Sequence, residues 1–363
     1  RTLRVNHSAR SLCYVWHSVI VLVMRIKPLE SEMPDSKLVD PFGRRITYLR
    51  LSVTDRCDFR CTYCMSEDMV FAPRAQILTL EELYAVADAF ISLGVKRIRV
   101  TGGEPLVRKG LPSLLSRLGA REELEDLAIT TNGSQLPTLA PVLREAGVKR
   151  LNVSLDSLKR ERFAELTRRD MLEQVVAGID AARRAGFERI KLNSVIQKGR
   201  NDDEVLDLVN FAVERGLDIS FIEEMPLGNV SSHEREITFC SSEEVRERIE
   251  VGHQLIRSSH TTGGPSRYWQ VAGSDTQVGF ISPHSNNFCG SCNRVRVTAE
   301  GKLVLCLGHE GALDLKTLMR RYPGDSERLR QALVDALQLK PEKHEFRTDE
   351  QVQVVRFMSM TGG

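Results

Sequence analysis

No apolar run in this chain reaches the length of a membrane span. The one segment that could mislead, Val19 to Met24, reads V-I-V-L-V-M, far short of the ~20 residues a span needs. No A-x-A-type cleavage site follows it, so an export signal is not expected, and residues 1–32 read as sequence upstream of the natural start. Charge of one sign is missing too. Lys+Arg of 51 against Asp+Glu of 49 leaves +2, so no global field argues for nucleic acid or an anionic membrane, and any anion site has to be local. A disulfide framework is likewise absent, because six of the eight cysteines fall in two tight triads, Cys57/Cys61/Cys64 and Cys289/Cys292/Cys306. Clustered thiols without an export signal point to a reducing cytoplasm. The remaining composition, 41% hydrophobic and 28% charged, describes a soluble chain able to bury a sizeable core in one large or two modest domains.

The first triad lies in C-D-F-R-C-T-Y-C, a C-x3-C-x2-C spacing with Tyr63 directly before the last cysteine. Three thiolates suit a cubane iron–sulfur cluster and leave one iron corner open. The alternative is structural zinc, whose fourth ligand would come from Asp55, Asp58, Glu67 or Asp68, an uncommon donor set. The second triad lies in F-C-G-S-C-N-R-V-R-V-T-A-E-G-K-L-V-L-C, where Glu300-Gly301 reads as a hairpin turn returning Cys306 to the first pair. His309 completes a C-x2-C-x13-C-x2-H pattern acceptable for zinc, and spacing alone leaves zinc and iron equally open here.

From about residue 46 a strand-then-helix rhythm sets in. Strands are expected at Ile46–Val53, Arg97–Val100, Leu127–Thr131, Arg150–Leu155, Ile190–Ile196 and Asp218–Glu223, with helices such as Leu80–Leu93, capped by Thr79 and Glu82, and Asp203–Arg215. Six such units imply a parallel sheet curled into a partial barrel, whose working residues sit at the C-terminal ends of strands. Thr101-Gly102-Gly103-Glu104-Pro105 follows the second strand; its glycines allow close backbone approach to a ligand, and Glu104 can accept from an ammonium group. Thr130–Gly133, Ser154–Asp156 and Glu223–Pro226 end later strands and share that mouth, where Lys191 is also expected to meet an anion.

Taken in order, the first triad, T-G-G-E-P, T-T-N-G, S-L-D-S, E-x-M-P, C-G-S-C-N-R-V-R and the final Gly362-Gly363 resemble the GTP 3′,8-cyclase family (molybdenum-cofactor biosynthesis protein A) of radical S-adenosylmethionine (SAM) enzymes, from about residue 41 onward. The resemblance implies an α/β fold: a six-unit βα TIM-like partial barrel over 41–226, a C-terminal cluster-binding extension over 227–363, and an N-terminal extension over 1–40. It implies two [4Fe-4S] clusters. Cys57, Cys61 and Cys64 would hold the one whose open iron binds SAM; Cys289, Cys292 and Cys306 would hold the one whose open iron meets the guanine of GTP. Tyr63, Gly103, Ser154 and Met225 would line the SAM site, and Arg50, Arg99, Thr130, Lys191, Arg294, Val295 and Arg296 would hold GTP. Arg294 and Arg296, two apart on a strand, can offer two guanidinium forks to a triphosphate. With Gly362 and Gly363 they would serve catalysis.

The implied reaction is a radical lyase cyclisation. An adenosyl radical removes hydrogen from C3′ of the ribose, the carbon radical attacks C8, and an electron and a proton complete 3′,8-cyclo-7,8-dihydro-GTP. Positioning carries this chemistry, since no acid/base pair or activated nucleophile is required or evident. A flavodoxin- or ferredoxin-type reductant and a downstream cyclic pyranopterin monophosphate synthase are the implied partners of a cytoplasmic monomer or homodimer. Asp58 and Ser66 depart from the commoner family wording and are expected to tune the loop. Two rivals share parts of the pattern: a radical SAM peptide maturase and a non-enzymatic zinc-bearing interaction module.

Overall fold

Leu49 and Leu51 alternate with Tyr48, Arg50 and Ser52 along the first strand, β1 (Tyr48–Ser52), and this period-2 pattern organises the molecule. The structure is a computed structural model describing residues 37–225, 227–228, 235–344, 346 and 354–362. Residues 1–36, Pro226 and Gly363, on which some of the expectations above rest, lie outside the described residues.

β2 (Arg97–Thr101), β3 (Asp126–Thr131), β4 (Arg150–Ser154), β5 (Arg189–Val195) and β6 (Asp218–Ile222) continue the sheet from β1, every neighbour parallel. Between them run α1 (Leu80–Ser92), α2 (Leu111–Gly119), α3 (Leu136–Glu145), α4 (Arg160–Thr167), α5 (Leu172–Ala185) and α6 (Val205–Arg215). The expected capping box forms: Thr79 Oγ1 accepts from Glu82 N–H at 3.1 Å, and Glu82 accepts from Thr79 N–H at 2.8 Å. One strand face packs under the helices. Leu49, Leu51, Ile98, Val100, Ile129, Val153, Leu192 and Ile219 join Leu83, Phe90, Leu118, Val175 and Leu208 in one core, each such burial contributing roughly 1.5–3 kcal/mol.

The other face is polar. Arg50, Arg99, Thr130, Ser154, Lys191 and Asn193 look into the hollow of the curled sheet. A barrel that fills its own interior does so with bulky branched apolar side chains. This one keeps room for a polar guest.

β7 (Leu255–Arg257), β8 (Arg267–Val271), β9 (Gln277–Ile281), β10 (Arg294–Val297), β11 (Lys302–Val304) and β12 (Ala312–Asp314) complete a twelve-stranded open sheet, ordered β12-β11-β10-β1-β2-β3-β4-β5-β6-β9-β8-β7. β10 lies parallel to β1, and β9 parallel to β6. The C-terminal part therefore extends the six-unit sheet at both edges. The β10–β11 hairpin turns at Gly301, whose φ of +80° suits glycine. At the N-terminal side, Leu38 is fully buried and Val39 bridges Arg45, so the packed chain begins ahead of the expected boundary at residue 41. Among the described residues no helix is long and apolar enough to cross a membrane.

Candidate active site

Both cysteine triads line one cavity, and strand direction fixes which end each occupies. Cys57, Cys61 and Cys64 follow the C-terminal end of β1. Because β10 runs parallel to β1, with Tyr48 beside Arg294 and Arg50 beside Arg296, Cys289 and Cys292 precede β10 at the opposite end, where β11 returns Cys306. Roughly 13 Å of strand, four steps of ~3.3 Å, separates the two levels. The strand-end loops share one mouth, while the place of the second triad could not be read from local sequence. The second triad sits at the far end because a parallel partner strand enters from below.

Between the triads lies a row of cations. Register places Arg296, Arg50 and Arg99 side by side on adjacent strands. None has a carboxylate partner among the described residues, and Arg50 Nε and Arg99 Nε are buried without any hydrogen-bond partner. Burial, then the neighbouring Arg296 and Arg99, lowers the Arg50 pKa well below its usual range. Burial and Arg294 push Arg296 down to about 9. Lys191, the third residue of β5 and so inside the barrel rather than at its mouth, donates from Nζ to Tyr268 Oη at 3.1 Å. Burial also lowers Lys191. Burial opposes ionisation of Tyr268, but Lys191 and hydrogen bonds from Thr262, Lys191 and Ser266 outweigh it and bring the phenol down to about 8. Buried cations without counter-charge are unfavourable unless an anion joins them. Tyr48 Oη, Thr101 Oγ1, Thr130 Oγ1 and Asn193 Oδ1, on the same walls, also lack partners among the described residues.

The donor chemistry at both ends fits iron–sulfur clusters. Cys57 Sγ accepts from Phe59 N–H at 3.4 Å, and Asn132 Nδ2 lies 3.9 Å from it. Burial raises the Cys57 and Cys61 thiols, and it pushes Cys64 up to about 11 despite a hydrogen bond from the Ser359 main chain. Thiols so shielded lose their protons to a metal centre. At the other end burial opposes ionisation of Cys292, but Arg294 and Lys340 outweigh it and hold the thiol below its ordinary value. His309 is exposed, engages the Lys343 carbonyl at 3.1 Å and stays off the cavity wall. Asp58 is occupied as well, accepting from Asn132 Nδ2 and Ser134 Oγ at 2.6 Å each.

Glu104 differs from expectation. Fully buried, it accepts from Leu106 N–H at 3.0 Å, Thr131 Oγ1 at 2.7 Å and Asn132 N–H at 2.6 Å, and burial pushes it up to about 7. It braces the turn rather than facing a ligand's ammonium. A Cβ on Gly103 would strike the main chain of Arg56 and Asp55, so this glycine lets the cysteine loop pack against β2. Ser154 and Met225 line the wall. Tyr63 Oη donates to Asp156 Oδ2 at 2.7 Å, and burial raises Asp156 to about 6. Arg294 lies over the Phe288 ring at 5.1 Å. Val295 alternates into the core and also borders the cavity. Gly362 is buried with φ +73°, its carbonyl accepting from Arg296 Nη1 at 2.7 Å, and a Cβ there would collide with Thr101. Sequence reasoning missed Tyr268 and Ser359; only the alternation in R-Y-W-Q-V hinted that Tyr268 shares an inward face.

A model of the radical SAM superfamily matches residues 51–212, and one described as Molybdenum Cofactor Synthesis C matches residues 217–346. The chain is 81% identical over 331 residues to the GTP 3′,8-cyclase of Ectopseudomonas mendocina, covering 91% of this chain and 100% of that one. It is 73% identical over 331 residues, with the same shares covered, to GTP 3′,8-cyclase 2 of Pseudomonas aeruginosa. Among solved structures, Streptococcus suis SuiB bound to precursor peptide SuiA is similar with a TM-score of 0.57 at 14% identity, covering 88% of this chain and 76% of that one, a likeness of fold.

Proposed function

The chain belongs to the GTP 3′,8-cyclase family of radical SAM enzymes, and from that premise we propose how its own residues cyclise GTP to 3′,8-cyclo-7,8-dihydro-GTP, the opening step of molybdenum-cofactor biosynthesis. The observation that carries the proposal is a polar barrel interior in which uncompensated cations lie between two thiol triads at opposite ends.

A cluster held at the N-terminal triad would, with SAM bound, supply the radical chemistry. Cys57, Cys61 and Cys64 would hold that cluster, and Cys289, Cys292 and Cys306 the one that meets guanine. Tyr63, braced by Asp156, lines the SAM pocket with Gly103, Ser154 and Met225. Arg50, Arg99, Arg296 and Lys191 clamp the triphosphate in mid-barrel, where Thr130 Oγ1 offers a free polar contact. Arg294 and Val295 border the guanine end. Gly362 holds Arg296 in place and helps the tail exclude water. This divides the labour between residues 41–226, which handle SAM, and 227–363, which handle guanine. A flavodoxin- or ferredoxin-type reductant, a downstream synthase of cyclic pyranopterin monophosphate and a cytoplasmic setting complete the reading.

Anaerobic reconstitution, followed by incubation with SAM, GTP and a reductant, tests it. The expected products are 5′-deoxyadenosine and a cyclised nucleotide, both abolished by Cys57→Ala/Cys61→Ala/Cys64→Ala. Deoxyadenosine from that triple variant would overturn the SAM-site assignment.

A further inference from the structure

The second triad is clasped by two cations of different electrical character. Arg44 donates to the carbonyls of Cys289 at 2.9 Å, Pro341 at 2.7 Å and Glu342 at 2.5 Å. It is also paired with buried Asp40, Nε to Oδ2 at 2.6 Å, so this pair adds almost no net charge and acts by fixing the Cys289 loop.

Lys340 is built differently. It is 3% exposed, and its Nζ donates to the carbonyls of Arg294, at 3.1 Å, and Leu305. Those carbonyls belong to the two arms of the β10–β11 hairpin: Arg294 stands two residues after Cys292, and Leu305 directly precedes Cys306. No carboxylate pairs with Lys340 among the described residues. An ammonium buried without counter-charge is unfavourable, and the anionic chemistry within its reach is the thiolates of Cys292 and Cys306 with the cluster they would hold.

We propose that Lys340 is a tuning residue for the C-terminal cluster, its fixed positive charge raising the reduction potential while its carbonyl bonds set the spacing of Cys292 and Cys306. The inference rests on the cluster assignment made above. Reducing a cluster by one electron makes it more negative, and a nearby cation in a shielded interior favours that added charge. Around the N-terminal triad both signs meet: Arg60 donates to the Cys57 carbonyl at 2.6 Å, and carboxylates stand nearby. Cys57 Sγ lies 3.9 Å from Asp58 Oδ1, and Asp156 holds the Tyr63 ring beside Cys64.

The full chain carrying Cys57→Ala, Cys61→Ala and Cys64→Ala isolates the C-terminal cluster for redox titration followed by electron paramagnetic resonance. In that background Lys340→Gln, which removes the charge but keeps a donor, should retain iron while its reduction constant falls about tenfold or more, a negative shift of ~59 mV for one electron. Lys340→Arg should remain near the parent potential. An unchanged or more positive potential in Lys340→Gln overturns the proposal. Should Lys340→Gln fail to hold the cluster, Lys340→Arg decides: a cluster at the parent potential supports the charge role, and loss there too leaves Lys340 a merely structural part and sinks the idea. Absence of any cluster in the parent with Lys340 intact refutes the cluster assignment itself, and the tuning role falls with it.

Discussion

Gly362 has no room for a methyl group. Its backbone, with φ +73° and ψ 127°, lies in a region that would cost an L-residue on the order of 1–3 kcal/mol, and a Cβ would meet the Thr101 side chain. Gly362→Ala should therefore displace the tail and break its bond to Arg296, lowering cyclised product roughly tenfold or more with iron content unchanged, as product chromatography and iron assay would read. Undiminished turnover would return the tail to a passive role. Tyr268 gives a second residue-level expectation, this time in pH. With its phenol lowered to about 8, ionisation places a negative charge beside Lys191, which competes with phosphate for that ammonium. GTP affinity should fall as pH rises through about 8, and bound GTP should drive the phenol's ionisation to higher pH. Titration of tyrosinate absorbance with and without GTP checks both statements. A curve identical to that of Tyr268→Phe would overturn them.

At the scale of elements, much was legible. The six strands appear within two residues of their expected bounds, and the Thr79–Glu82 box starts α1, because both depend on local patterning. Removing the cap by Thr79→Ala should lower stability by about 1 kcal/mol, measured as a shift in the urea midpoint at constant slope. The hairpin that returns Cys306 was also readable, since Gly301 marks its turn. What could not be read was long-range pairing. Nothing local states that β10 enters beside β1 or β9 beside β6, so the second triad's place at the far end stayed hidden. Glu104 was misread for a related reason, because its partners Thr131 and Asn132 come from the next strand along. His309 had suitable spacing, yet the fold turns it outward to Lys343. His309→Ala should accordingly leave C-terminal cluster iron unchanged; its loss would revive the fourth-ligand reading.

For the molecule as a whole, the sheet has no independent N-terminal half. β1 and β6 would both become bare edges without β10 and β9, and unpaired edges of this length invite aggregation. A chain ending at residue 226 should be insoluble, as sedimentation after expression would show, whereas a soluble, monomeric fragment would mean the six-unit barrel stands alone.

The cation row has a further consequence, for the protein at rest. Arg296, Arg50 and Arg99 repel one another across adjacent strands, and the Gly362 carbonyl on Arg296 and the Tyr48 ring near Arg99 offset only part of that repulsion. The free enzyme is therefore held under internal electrostatic pressure that a polyanion relieves. By mass action, a nucleotide present at a hundred times its dissociation constant should stabilise the fold by about 2.7 kcal/mol. The substrate is in this sense a late structural component, and the enzyme's thermal lifetime becomes a gauge of how much nucleotide surrounds it.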